Sequence, residues 1–171
     1  MDILKRIQKR MFNYEKWLAG LLLTMPLILM LFDGGKVRSS ISDYAYMQDN
    51  QVFFFLIFLS AFAFFNNGTI WVKKYNLTLG VLLAIVGLTP YLEFPITHTL
   101  AAGLFFAYSC FVMIKYSSKK QRTFKILASI FILIGIAGHY IFHWYSLLYA
   151  EWIMNLPICI HFYGESKGKI D

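Results

Sequence analysis

Six runs dominated by apolar residues recur along the chain, at about 17–32, 52–71, 77–92, 96–116, 124–143 and 147–163, with short polar or basic segments between them. A bilayer core of about 30 Å is crossed by about 20 helical residues, within a range of roughly 17 to 25. Four of the runs meet that length, and the first and third fall short. The pattern predicts an all-α polytopic membrane protein, a bundle of six transmembrane helices forming a single domain over residues 1–171. The alternative is five spans plus a re-entrant helix, if the run at 77–92, which carries Pro90 near its end, does not cross.

Basic residues divide unevenly between alternate connections. Of sixteen Lys and Arg, Lys36 and Arg38 alone fall on one side, and the other fourteen, from Lys5 and Arg6 to Lys167 and Lys169, fall on the opposite one. The side richer in Lys and Arg is cytoplasmic by the positive-inside rule. Both termini are therefore expected in the cytoplasm, with the protein in the inner membrane. The first run contains Pro26 and ends in Phe32-Asp33-Gly34-Gly35-Lys36, which offers no small-residue cleavage site, so it reads as a retained helix. Pro26 and Pro157 should bend the first and last helices and free carbonyls that need partners.

Composition supports this class. Of 171 residues 58% are hydrophobic, 19% aromatic and only 15% charged, far from soluble averages of about 45–50% apolar and roughly 25% charged. A net charge of +7 raises nucleic acid as a partner, but the basic residues are topological and no nucleic-acid motif accompanies them; the expected partners are membrane lipids. Cys110 and Cys159 both sit inside apolar runs, away from any ligand spacing, and read as structural thiols. Gly80, Ala84 and Gly87 in the third run, Ala101 to Gly103 in the fourth, and Gly135 and Gly138 in the fifth are small residues that let helices approach closely.

Polar side chains converge at one end. The outer connections hold Asp33, Arg38, Ser42, Asp43, Tyr44, Tyr46 and Asp49, then Glu93 and His98, then His143 to Ser146, with Glu151 just below. Glu151, Asn155 and Cys159 form a stripe at i, i+4, i+8, so Glu151 should face the bundle, since an ionisable group facing lipid is costly. His139 and His143, also four apart, share a face if one helix contains both. Two neutral imidazoles with a further ligand can hold zinc, which makes His98, His139 and His143 candidate metal ligands. Each histidine also has a plain reading as an interfacial or hydrogen-bonded side chain. Glu151 reads equally as a carboxylate paired with Arg38 or a histidine to pin the outer loop. The other end is simply basic, with His161 and Glu165 read as interfacial.

The segment Ser39-Ser40-Ile41-Ser42-Asp43-Tyr44-Ala45-Tyr46-Met47-Gln48-Asp49, the histidine at 98 and the Glu151-Trp152 pair resemble a group of small bacterial six-helix membrane proteins of unknown function. The resemblance implies six helices and points to Ser42, Tyr44, Asp49, His98 and Glu151. A looser likeness is to the alkaline ceramidase and adipoQ-receptor superfamily of membrane hydrolases. It implies a zinc held by three histidines and helped by a serine and an aspartate, parts for which His98, His139, His143, Ser42 and Asp49 could be cast. That superfamily has its histidine pair in a seventh helix, and here Pro95 stands where its serine is expected.

The leading functional expectation is an outward-opening polar pocket that binds or processes a lipid or amphiphile of the outer leaflet, as a zinc-dependent hydrolase in its catalytic form. Glu151, Asp49 and Ser42 are then the catalytic candidates, and Tyr44, Tyr46, Arg38, Trp144 and Asn155 contact the substrate. One alternative is a small proton- or ion-coupled transporter or channel; another is a non-catalytic assembly or interaction protein.

Overall fold

The computed structural model describes residues 14–167, and every regular element among them is helical. Among the described residues there are six α-helices: α1 Tyr14–Phe32, α2 Gln51–Ile70, α3 Lys74–Leu88, α4 Pro95–Lys115, α5 Arg122–Tyr140 and α6 Leu147–Ser166, with a short 3-10 segment, Ser42–Tyr46, between α1 and α2. Each helix packs against its neighbours in sequence, and α1 packs against α6, so the six form a closed ring. The end carrying residues 33–50, 89–94 and 141–146 is called the upper end below.

Four helices, over Glu15–Phe32, Gln51–Ile70, Pro95–Lys115 and Arg122–Tyr140, are long and apolar enough to cross a membrane. Helix α3 is apolar but has only 15 residues. Helix α6 has 20 residues and carries Glu151, Asn155, His161 and Glu165 within its length. The chain is thus a helical membrane protein by length and composition.

Close approach at glycines sets the tightest packing, between α2 and α3. A Cβ at Gly80 would lie 2.9 Å from the Ala61 carbonyl oxygen, and one at Gly87 would lie 2.8 Å from the Ile57 side chain. Only hydrogen fits there, in accord with the small residues read from the third run. The core is aromatic at mid-height, where the fully buried Phe64 packs edge to face against Phe105 and Phe162. Pro26 and Pro157 fall inside α1 and α6 as expected, and the Trp152 indole donates to the Leu23 carbonyl, close to the carbonyl that Pro26 leaves without its helical donor.

Two helices end earlier than their apolar runs. α3 stops at Leu88 because Thr89 precedes Pro90, and the residue before proline is driven out of the helical region; Thr89 has φ −122° and ψ 77°. α5 stops at Tyr140, where the chain folds back and packs the Tyr145 ring onto Gly138. The Tyr145 hydroxyl donates to the Gly135 carbonyl at 3.2 Å, and His143 lies beyond the helix with φ +54°. His139 and His143 therefore do not share a helix face.

The lower end is more than basic. Asn67 donates to Glu15 at 2.7 Å, Asn76 donates to Asn67, and Lys73 pairs with Glu165. Asn67 and Asn76 are fully buried. These contacts join α1, α2, α3 and α6, so Glu165 belongs to a polar cluster and not merely to an interface.

Candidate functional site: a cavity beneath the upper loop

Residues 33–47 fold over the upper end as a roof held at three points by α4 and α6. The Leu148 N–H at the start of α6 donates to the Ser39 carbonyl at 2.8 Å, which satisfies one of the amides that a helix start leaves without an internal partner. The Ile41 N–H donates to Glu151 Oε2 at 2.5 Å. Ser42 Oγ lies 2.8 Å from His98 Nε2. The roof also holds itself together. Arg38 forms a two-pronged ion pair with Asp33, its Nε 2.7 Å from Oδ2, and Asp43 accepts from the Ser39 hydroxyl at 2.9 Å. The Arg38 guanidinium beside Asp33 holds that carboxyl below its usual range.

His98 is fixed at both nitrogens. Nδ1 is 2.6 Å from the Thr89 carbonyl, which can only accept, so Nδ1 carries the proton there. In the neutral ring Nε2 is then the acceptor, and the Ser42 hydroxyl donates to it. Thr89 offers its carbonyl because Pro90 has already turned the chain out of α3. His98 is in the first turn of α4, which starts on Pro95, a residue suited to the first helical position. Two prolines thus bring the end of α3 and the start of α4 together around one imidazole. Ser42 and His98 are both buried, at 7% and 6% exposure.

Beneath the roof lies a cavity of about 330 Å³. Ser42, His98 and Glu151 all line it, together with Ser40, Tyr91 and Tyr140 and an apolar wall that includes Phe106, Ile136 and Met154. A smaller lobe of about 60 Å³ runs deeper, walled by Ser42, Glu151, Asn155 and aliphatic side chains. Asn155 is 7% exposed, and its side chain makes no hydrogen bond to another described residue. A pocket of this size, mostly apolar with a few convergent polar groups, is the usual form of a small-molecule site.

The sequence candidates sort themselves by this cavity. Ser42, His98 and Glu151 meet in it, and Asn155 reaches its deeper lobe. Asp49 lies in the exposed turn before α2, outside the cavity. Tyr44 is fully buried in the roof and donates to the Lys36 carbonyl at 2.9 Å. Tyr46 accepts from the Leu92 N–H at 2.9 Å and packs edge to face on Tyr91, and Arg38 is occupied by Asp33. Trp144 is 68% exposed and stacked on Phe142. None of these last four lines the cavity.

The expected metal triad is not assembled. Among the described residues no group of three or more His, Cys, Asp or Glu is placed to hold a metal ion. Both nitrogens of His98 are engaged, His139 Nδ1 donates to the Tyr145 carbonyl at 2.8 Å, and His143 is exposed beyond the end of α5. The expected partner of Glu151 also differs: a backbone N–H takes the place of Arg38 or a histidine, because the loop itself crosses the carboxylate. The partners that sequence reasoning missed, the Thr89 carbonyl and the Ile41 amide, are main-chain atoms. Ser40, Tyr91 and Tyr140 were also missed as cavity residues; Ser40 stood in a polar connection, whereas Tyr91 and Tyr140 were hidden at the ends of apolar runs.

Fold and site define a helical membrane protein with a polar-tipped cavity under a pinned loop. The signature of a family of unknown function, DUF7103, matches residues 24–166, and the chain belongs to that family. No curated protein and no solved structure matches the chain, so nothing in these comparisons supports the ceramidase likeness.

Proposed function

We propose that the chain spans the membrane six times with both termini in the cytoplasm, and that its outward-facing cavity binds a membrane amphiphile and cleaves an ester or amide bond in it. The observation that carries this reading is the chain of hydrogen bonds from Ser42 Oγ to His98 Nε2 and from His98 Nδ1 to the Thr89 carbonyl, on the wall of a largely apolar cavity. A nucleophile within hydrogen-bond reach of a base, with the base oriented by a third group, is the arrangement of covalent catalysis.

In the first step Ser42 Oγ bonds to the substrate carbonyl carbon while its proton passes to His98 Nε2. The tetrahedral adduct then expels the alcohol or amine, which leaves with that proton, and Ser42 remains acylated. Water next gives a proton to His98 and attacks the acyl carbon, releasing the carboxylic acid and returning the proton to Ser42. Glu151 holds Ile41, and with it the adjoining Ser42, at the cavity wall. The charge division between the ends supports the orientation, and the cavity's apolar wall supports an amphiphile over a water-soluble substrate. A relay running to the lower end is disfavoured by the buried edge-to-face cluster of Phe64, Phe105 and Phe162 between the two polar regions.

The test is a fluorophosphonate, which phosphonylates an activated serine. It should label Ser42 in the purified protein, fail on Ser42→Ala, and react about 100-fold or more slowly with His98→Gln, the range for loss of a general base. A folded wild-type protein whose Ser42 stays unmodified would refute the hydrolytic reading.

A further inference from the structure

The roof and the side wall of the cavity differ in how they are closed. From above, residues 39–42 are held by the three bonds to Leu148, Glu151 and His98, so passage there requires all of them to yield. On the side, the cavity wall on α4 includes Thr99 and Gly103, and both residues are also part of a groove on the outside of the bundle. That groove runs along α4 between Pro95 and Ala107. Thr99 and Gly103 are exposed, and a Cβ built on Gly103 would meet no atom within 4 Å. Across the cavity from them stand Ile136 and Tyr140 of α5. Gly103 is eight residues beyond Pro95, hence about 12 Å along the helix at 1.5 Å per residue, which is acyl-chain depth and not headgroup depth in a bilayer core of about 30 Å.

We infer that the gap at Thr99 and Gly103 is a lateral portal through which a single acyl chain of an outer-leaflet amphiphile slides from the bilayer into the cavity. The inference rests on the amphiphile reading above and narrows its substrate class. The chain enters tail-first from the lipid, its polar group stays at the upper end beside Ser42 and His98, and the roof stays shut. A cavity of about 330 Å³, near the lower end for ligand sites, suits one chain and not two. The small groups at Ala102 and Gly103 leave the passage open, while Phe106 and Met154 form its inner wall.

The test uses a fatty acid carrying a terminal diazirine, in proteoliposomes, with adducts mapped by mass spectrometry. Wild-type protein should give adducts inside the cavity, on Ile136 or Met154. Gly103→Trp, whose side chain starts in open space, should keep the melting temperature and lower those adducts at least tenfold. Thr99→Phe, on the same rim, provides a second obstruction should tryptophan disturb the helix. Cavity adducts that persist in both variants, or wild-type adducts confined to the outer residues Leu100 and Leu104, would overturn the portal. Ser42→Ala should retain the wild-type adducts. Failure of the hydrolytic reading therefore shows as an unreactive Ser42 with adducts unchanged, and failure of the portal shows in the adducts alone.

Discussion

The contact between Glu151 and the roof predicts a measurable stability difference. Ile41 is 7% exposed, and its N–H has the Glu151 carboxylate as acceptor at 2.5 Å. Glu151→Leu fills similar space but leaves that amide buried without an acceptor, at a cost of about 1–3 kcal/mol. Glu151→Gln keeps a neutral acceptor. The amide oxygen can still accept from Ile41, so this variant should cost less than leucine. For a chain of this length 1 kcal/mol corresponds to about 2–4 °C in melting temperature, which gives about 2–12 °C for the leucine variant and a smaller loss for glutamine. The assay is thermal unfolding of the detergent-solubilised protein, followed by tryptophan fluorescence. Ser42 adjoins Ile41 and is held separately by His98, so the two anchors restrain one short segment. Once one is gone, the segment loosens and the second has less to lose; Ser42→Ala combined with Glu151→Leu should therefore fall short of additivity by about 0.5 kcal/mol or more. A leucine variant melting within about 1 °C of wild type, or strict additivity in the double variant, would refute the idea that Glu151 and His98 clamp the same loop.

What was legible in the sequence follows from where periodicity has force. Inside helices, apolar runs and the i, i+4 rule oriented Glu151 and Asn155 toward the interior, and His98 was marked by its place with Glu93 in an outer connection where polar residues converge. Within connections there is no period to read. Asp49, Arg38, Tyr46 and Trp144 stood beside Ser42 as candidates, yet the turn before α2, the Asp33 ion pair, the Leu92 amide and the stack on Phe142 direct them elsewhere. The zinc expectation depended on α5 continuing to His143. A tertiary contact, Tyr145 folded onto Gly138, ends the helix three residues earlier and removes the shared face. The base–orienter pair was hidden for another reason: the orienting group is the Thr89 carbonyl, and a main-chain atom has no letter of its own. Pro90 and Pro95, which create that geometry, were visible as turn signals but not as parts of a site. At the lower end Asn67 and Asn76 were not singled out in the sequence, which reads there as simply basic; their meeting with Glu15 required the ring to close.

Three further outcomes are expected. Gln48→Cys and Glu93→Cys, at exposed positions of the upper end, should react with an impermeant thiol reagent in intact cells, and Lys119→Cys should react only after permeabilisation; the reverse pattern would invert the proposed orientation. Treatment with a strong chelator should leave fluorophosphonate labelling of Ser42 unchanged, and His143→Ala should label like wild type whereas His98→Ala should not; loss of labelling with the metal would restore a metal centre to this site. The last concerns pH and the roof's own ion pair. Asp33 has its pKa lowered from the ordinary 3.8, first by the hydrogen bond from Arg38. A group whose folded pKa is depressed binds its proton more readily in the unfolded chain, so its contribution to stability is present above the unfolded value and is lost as pH falls through the folded one. Wild type should therefore melt higher than Asp33→Asn at about pH 6, and the gap should shrink as the pH is taken below 3.8, since the variant has already lost the pair. The same acid limb should appear when roof opening is followed by hydrogen exchange at the Ser39 amide, which donates to Asp43 beside Arg38. A gap that widens toward acid would mean that Asp33 is protonated more readily in the fold than out of it, and would contradict the ion pair as the feature that orders residues 33–38.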